Sequence, residues 1–125
     1  MGENSAVIRS AYDAFGRGDI GAVIDLLDDA VDWTSPATLP QGGHYRGKAG
    51  VGEFFQAVGG AWKALSLDVE SVSDAADGLV VGVLRASGTR QDGTPGGYGA
   101  VQVFTVRDGK ISRFREFTDL DVSIA

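Results

Sequence analysis

LVVGVLRASGTRQDGTPGGYGAVQVFTVRDGKISRFREFTDLDV, residues 79–122, decides the fold. Apolar and polar residues alternate through three extended runs, about Leu79 to Arg90, Gly97 to Val106 and Lys110 to Val122, and the breaks between them carry hairpin chemistry. Asp92-Gly93 suits a two-residue type I′ turn, in which both central residues need φ > 0. Arg107-Asp108-Gly109 suits a three-residue loop with Gly109 in the left-handed position, pairing Val106 with Lys110. With these turns Arg85 lies opposite Ala100 and Ala100 opposite Glu116, so the three form one cross-strand row on one face. Ser87, Tyr98 and Thr118 make the adjacent row, and Val83, Gln102 and Phe114 the row on the other side.

Upstream of Leu65, Leu67 and Val69, where the period of two begins, the pattern is helical. Val7, Ile8, Ala11, Tyr12 and Phe15 define a first helix, opened near Ser5 and stopped by Gly16 and Gly18. Asp19 caps a second helix with the stripe Ile20, Val23, Ile24 and Leu27, ended by Asp28 and Asp29. A short strand, Val31 to Thr34, precedes a third helix over Lys48 to Trp62, with the Gly-rich loop holding His44 between them. Helices first and long antiparallel strands afterwards predict an α+β fold, in which the helices cover one face of a curved sheet.

The chain has 125 residues, 43% hydrophobic and 22% charged, which suits one globular domain over residues 1–125. Its net charge of −6 opposes nucleic acid and anionic membrane surfaces as partners. There is no Cys and a single His, so thiol nucleophiles, disulfides and multi-histidine metal sites are excluded. We expect no metal and no cofactor. The absence of a signal-peptide pattern or a long apolar run predicts a cytoplasmic protein.

The face carrying Phe114, Val83 and Tyr98 beside a few polar groups has the composition of a ligand pocket. Ala100 leaves room for the Arg85 and Glu116 side chains to meet over it, so Glu116 is a candidate acid/base and Arg85 a candidate orienting or charge-stabilising group. An exposed sheet salt bridge is the competing reading of that pair.

GDIGAVIDLLDDAVDW, HYRGKAGVGEFF and VFTVRDGKISRFREFTDL, in that order and spacing, resemble the SnoaL-like branch of the nuclear transport factor 2-like superfamily. The resemblance implies a cone-shaped, cystatin-like α+β roll with a mostly antiparallel sheet, a deep pocket between helices and sheet, and a homodimer. Ketosteroid isomerases of that superfamily place a Tyr and two Asp where this chain has Ala11, Ser35 and Gln102, which disfavours their mechanism. Tyr12 lies one residue off and would need a helix rotation of about 100° to substitute. Limonene-type epoxide hydrolases match at Val83, Arg85, Glu116, Trp33 and Ser35, where only the last-strand acid is kept. SnoaL-type cyclases carry one acid/base on the final strand in a DGxI...(D/E)xxD pattern, matched here by Asp108, Gly109, Ile111, Glu116 and Asp119.

These readings lead us to expect a cofactor-free acid/base enzyme, cyclase- or isomerase-like, acting on a small apolar carbonyl compound. A non-catalytic ligand-binding or structural dimer module is the alternative. Glu116 and Arg85 are the expected catalytic residues, with Trp33, Ser35, Tyr98, Ala100, Gln102, Phe114 and Thr118 lining the substrate site. Asp119 is expected to be structural on the opposite face, and His44 a solvated loop residue. Leu84, Val101 and Phe117, with the low profile of Ala86, Gly97 and Gly99, are expected to form an outer face buried in a homodimer.

Overall fold

The computed structural model describes residues 2–119. Helix α1 (Glu3–Gly16) buries Ile8, Ala11 and Ala14, and α2 (Ile20–Asp25) starts where the Asp19 carboxylate accepts the Ala22 N–H at 3.0 Å. The third helix, α3 (Gly47–Ala61), buries Val51 and Phe54. Six strands, β1 (Leu27–Ser35), β2 (Gly43–Arg46), β3 (Trp62–Asp74), β4 (Leu79–Arg90), β5 (Pro95–Arg107) and β6 (Lys110–Thr118), make one sheet in the order β2-β1-β6-β5-β4-β3. The sheet is curved and unclosed, and every pairing except the parallel β1–β6 contact is antiparallel. Bulges in β3 and irregular register in β1 and β6 supply local bends.

Two of the departures from the expected elements have tertiary causes. α2 ends at Asp25 rather than at Asp28 and Asp29, because the Ile111 N–H donates to the Leu26 carbonyl at 2.8 Å and draws the chain into pairing with β6. The segment holding His44 is not a loop: β2 pairs with β1, and the His44 ring meets the Asp32 carboxylate at 2.5 Å. The expected extension of the last strand to Val122 lies outside the described residues.

Strand register decides which side chains meet. The β4–β5 loop contains Gln91, Asp92 and Gly93, with the Arg90 N–H donating to the Thr94 carbonyl, so Arg85 pairs with Gly99 and Leu84 with Ala100. That is one residue away from the two-residue turn, and a slip of one inverts the whole strand. Arg85 and Val83 therefore face away from the helices, and Leu84 and Ala86, expected outside, are buried within. The β5–β6 turn is the tighter two-residue Asp108-Gly109, both at positive φ, followed by a register shift at Ser112. Glu116 consequently lies opposite Gln102, not Ala100.

The concave face is thus built in rows: Trp33, Phe114, Phe104 and Val80; then Glu116, Gln102 and Gly82; then Thr118, Ala100 and Leu84. α1 lies above it. A Cβ on Gly82 would overlap the Tyr12 hydroxyl, so only glycine lets that phenol rest on the sheet.

Candidate functional site

Glu116 is the acid at the centre of the concave face, 7% exposed. Its neighbours on the strand, Arg115 and Phe117, point the other way because side chains alternate. One carboxylate oxygen accepts from the Ser35 hydroxyl at 2.8 Å and the other from the Gln102 amide at 2.7 Å. The Gln102 carbonyl oxygen in turn accepts from the Tyr12 hydroxyl at 2.8 Å. Bonds at both ends fix the Gln102 amide, nitrogen toward the carboxylate, and align Tyr12, Gln102 and Glu116 as a polarised chain.

A second polar cluster sits beyond it. Gln41, 2% exposed, accepts from Trp62 Nε1 at 3.3 Å, reaches the Tyr98 hydroxyl at 3.5 Å and takes the Tyr45 hydroxyl on its main-chain oxygen at 2.8 Å. Burial first, and the Glu116 charge second, push the phenols of Tyr12 and Tyr98 above the ordinary tyrosine range. Both keep their protons at neutral pH.

Between α1, α3 and the sheet lies a cavity of about 70 Å³, lined by these polar groups and by Trp33, Phe54, Phe55 and Phe114 among other apolar side chains. Trp33 stacks on Phe114 with ring centroids 3.9 Å apart, and Phe54 and Phe55 approach it at 5.5 and 6.0 Å. Its Nε1–H is buried without a hydrogen-bond partner among the described residues, a condition that costs about 1–3 kcal/mol.

Of the expected site residues, Trp33, Tyr98, Gln102, Phe114 and Glu116 line this cavity. Ser35 joins them through Glu116. Ala100 and Thr118 are buried one row further along the same face, and do not line it. Arg85 is a correction: its side chain is 60% exposed on the outer face and pairs with Asp119 at 3.6 Å. It cannot reach Glu116 through the sheet, and the expected salt-bridged pair does not form. Asp119 also accepts the Gly99 N–H at 3.0 Å, a local structural role. Tyr12 and Gln41 were absent from the expected set. The rotation thought necessary for Tyr12 is unnecessary, since Gly82 opens the space beneath it.

Among the described residues no group of three or more His, Cys, Asp or Glu is placed to hold a metal ion. None of their helices is long and apolar enough to cross a membrane.

Known proteins place this geometry in a family. The chain is similar over 94% of its length to 91% of an NTF2-like protein from Burkholderia thailandensis E264, with 30% identity and a TM-score of 0.86. A structure of TerC co-crystallised with polyporic acid is 27% identical over 94% of this chain and 92% of that one, with a TM-score of 0.84. A putative SnoaL-like polyketide cyclase from Jannaschia sp. CCS1 shares the fold, with 20% identity over 94% of this chain and 86% of that one and a TM-score of 0.81. No curated protein matches the chain. The family model of the SnoaL-like domain matches residues 8–114, the span that brings α1, Trp33, Ser35 and Gln102 together, and the chain belongs to the SnoaL-like domain family.

Proposed function

We propose that this protein is a cofactor-free acid/base enzyme, cyclase- or isomerase-like, acting on a small, largely apolar carbonyl compound. The observation that carries the reading is Glu116, a buried carboxylate lining an apolar cavity and held at both oxygens by Ser35 and Gln102. A carboxylate so placed takes a proton from carbon next to a carbonyl, leaving an enolate. Returning that proton to another carbon of the conjugated system completes an isomerisation. Alternatively, the enolate carbon bonds to a second carbonyl carbon of the same molecule, and the new alkoxide takes the proton back. Ser35 and Gln102 position the base, and the aromatic walls exclude water. The 27%-identical TerC, co-crystallised with polyporic acid, supports a small-molecule ligand.

Glu116→Gln tests this reading. Gln keeps the shape and the hydrogen bonding but cannot accept a proton, so turnover in a screen of cyclic and polycyclic ketones should fall about 10²- to 10⁴-fold. Melting of the variant should remain cooperative, and unchanged turnover would rule out Glu116 as the base. One observation favours the second reading, a non-catalytic binding module: the cavity of about 70 Å³ is smaller than a benzene-sized site, for which about 150 Å³ is typical. Ketone binding without turnover in either protein would support it.

The dimer proposal rests on a smaller outer patch than expected. Leu84 is buried in the core, but Val101 and Phe117 are 39% and 55% exposed on the outer face, and burying them against a second copy would remove that apolar surface from water. Light scattering at micromolar concentration should give twice the monomer mass, with Phe117→Asp returning the monomer.

A further inference from the structure

Gln102 sits between two groups that make different demands on it. Its amide meets the Glu116 carboxylate at 2.7 Å on one side and the Tyr12 hydroxyl at 2.8 Å on the other. An ionised carboxylate only accepts hydrogen bonds, whereas a phenol both donates and accepts. Two arrangements therefore satisfy the carboxyl group. With Glu116 ionised, the Gln102 nitrogen donates to it and the Gln102 oxygen accepts from Tyr12. With Glu116 protonated, the amide can turn over, so that its oxygen accepts from the acid and its nitrogen donates to the Tyr12 oxygen. The second arrangement strands the Tyr12 proton, because among the described residues Gln102 Oε1 is the acceptor that proton has, and a donor left unpaired away from water is costly.

The fold holds the phenol where this choice matters. Tyr12 stands edge-on to Phe104, with ring centroids 6.0 Å apart and planes at 83°, and its hydroxyl rests over Gly82, the residue directly opposite Gln102 in the β4–β5 pairing. Besides Glu116, the titratable side chains lining the cavity are Tyr12 on α1 and Tyr98 on β5; α2, α3, β1 and β3 present neutral groups there, as do Ile111 and Phe114 of β6, and no lining residue is Lys, Arg or His. With no cation in the lining, hydrogen bonds to the carboxylate are what favour its charged form.

We infer that Tyr12 is a positioning residue for the base: by donating to Gln102 it keeps the amide nitrogen on Glu116 and so favours the ionised carboxylate over the acid. The effect on turnover rests on the proposed role of Glu116, whereas the effect on its proton does not. Without the hydroxyl, either orientation of the amide is unpaired at its far end, and the turned-over amide that suits the acid is no longer penalised. The Glu116 titration midpoint should then rise by about half to one pH unit.

The chain has four Glu, so glutamate labelled with ¹³C at the side-chain carboxyl gives four resonances to titrate, and Glu116→Gln assigns its own. Tyr12→Phe, which keeps the ring against Phe104, should raise the Glu116 midpoint by that amount and leave Glu3, Glu53 and Glu70 in place. Because a base works in its ionised form, the rising limb of the turnover–pH profile should move up with it. In a Gln102→Met background, where Tyr12 has no amide to orient, Tyr12→Phe should leave the midpoint where that background puts it. An unchanged or lowered midpoint in the single variant overturns the inference, as does a shift of the same size in the Gln102→Met background. If the acid/base reading alone is wrong, Glu116→Gln retains turnover while Tyr12→Phe still raises the midpoint. If the inference alone is wrong, Glu116→Gln loses turnover and the midpoint stays.

Discussion

The β4–β5 and β5–β6 hairpins both turn on Asp-Gly, yet they hand their strands on differently. The first holds a three-residue loop, with Gly93 at φ 89°, and its register then runs unbroken from Thr89 and Pro95 to Leu79 and Thr105. The second holds a two-residue loop, with Asp108 and Gly109 at 53° and 75°, and its register shifts once, at Ser112. That shift has a purpose legible in the burial pattern. Ile111 and Glu116 are five residues apart, so in a regular strand they would face opposite sides. The extra residue at Ser112 lets Ile111 close the core at 0% exposure while Phe114 and Glu116 still face inward. The regular hairpin sets one face along its whole length, whereas the bulged one joins two segments of opposite phase.

Deleting Arg115 from the regular part of β6 carries the largest expected effect. It leaves Phe114 and Glu116 adjacent, so one of these two buried groups must face outward, and the cooperative thermal transition followed by circular dichroism should disappear. Deleting Ser112 instead sets Ile111 and Phe114 two apart and keeps Ile111, Phe114 and Glu116 on one face, so that variant should still melt cooperatively. Equal losses in the two variants would show that the bulge does more than adjust the phase of the strand.

The regular hairpin is probed by neighbours on β4. Leu84→Ala empties a core site 1% exposed and should cost about 2–5 kcal/mol in urea denaturation. Arg85→Ala removes an exposed side chain and an exposed ion pair, and should stay within about 0.5 kcal/mol. The reverse ranking would mean that β4 presents its other face to the helices.

The smallest effect sharpens the comparison at the turns. In the β4–β5 loop the Asp92 carboxylate accepts from the Thr94 hydroxyl and backbone N–H at 2.6 and 2.9 Å, and these bonds, the side-chain one foremost, hold its pKa below the ordinary value. A lowered folded pKa means stability that is present above the unfolded value and is lost as pH falls through the folded one. NMR titration should therefore show Asp92 losing its charge below the ordinary Asp pKa, and Thr94→Val should move that midpoint up. An unchanged midpoint would remove the hydroxyl from the account.

These hairpins also explain how much could be read in advance. Helices α1 and α3 were legible because Ile8, Ala11, Val51 and Phe54 repeat at helical spacing between glycines. Glu116 was placed on the correct face because two errors summed to an even slip: the shorter turn moves the pairing by one and the bulge by one more, and a slip of two keeps the face. Arg85 was misplaced because Asp-Gly fits loops of either length, and an odd slip inverts the strand. Strand β2 has only four residues, too few for a period. Tyr12 and Gln41 owe their place to Gly82 and to a loop packed against Trp62 and Tyr98, contacts that no local pattern encodes.

The polar chain through Gln102 has a consequence for how the molecule comes together in time. Tyr12 and Gln102 are 90 residues apart in sequence, and Ser35 and Glu116 are 81 apart. Contacts of that span require closure of nearly the whole chain, and such closures are slow to form because their entropy must be overcome before the contacts reward it. Hairpins such as β4–β5 can pair locally and early, whereas the Glu116 environment exists only once the first helix has docked against the last strands. A spectroscopic probe of that environment would accordingly report the end of folding, and a nascent chain still missing β6 would have no site at all.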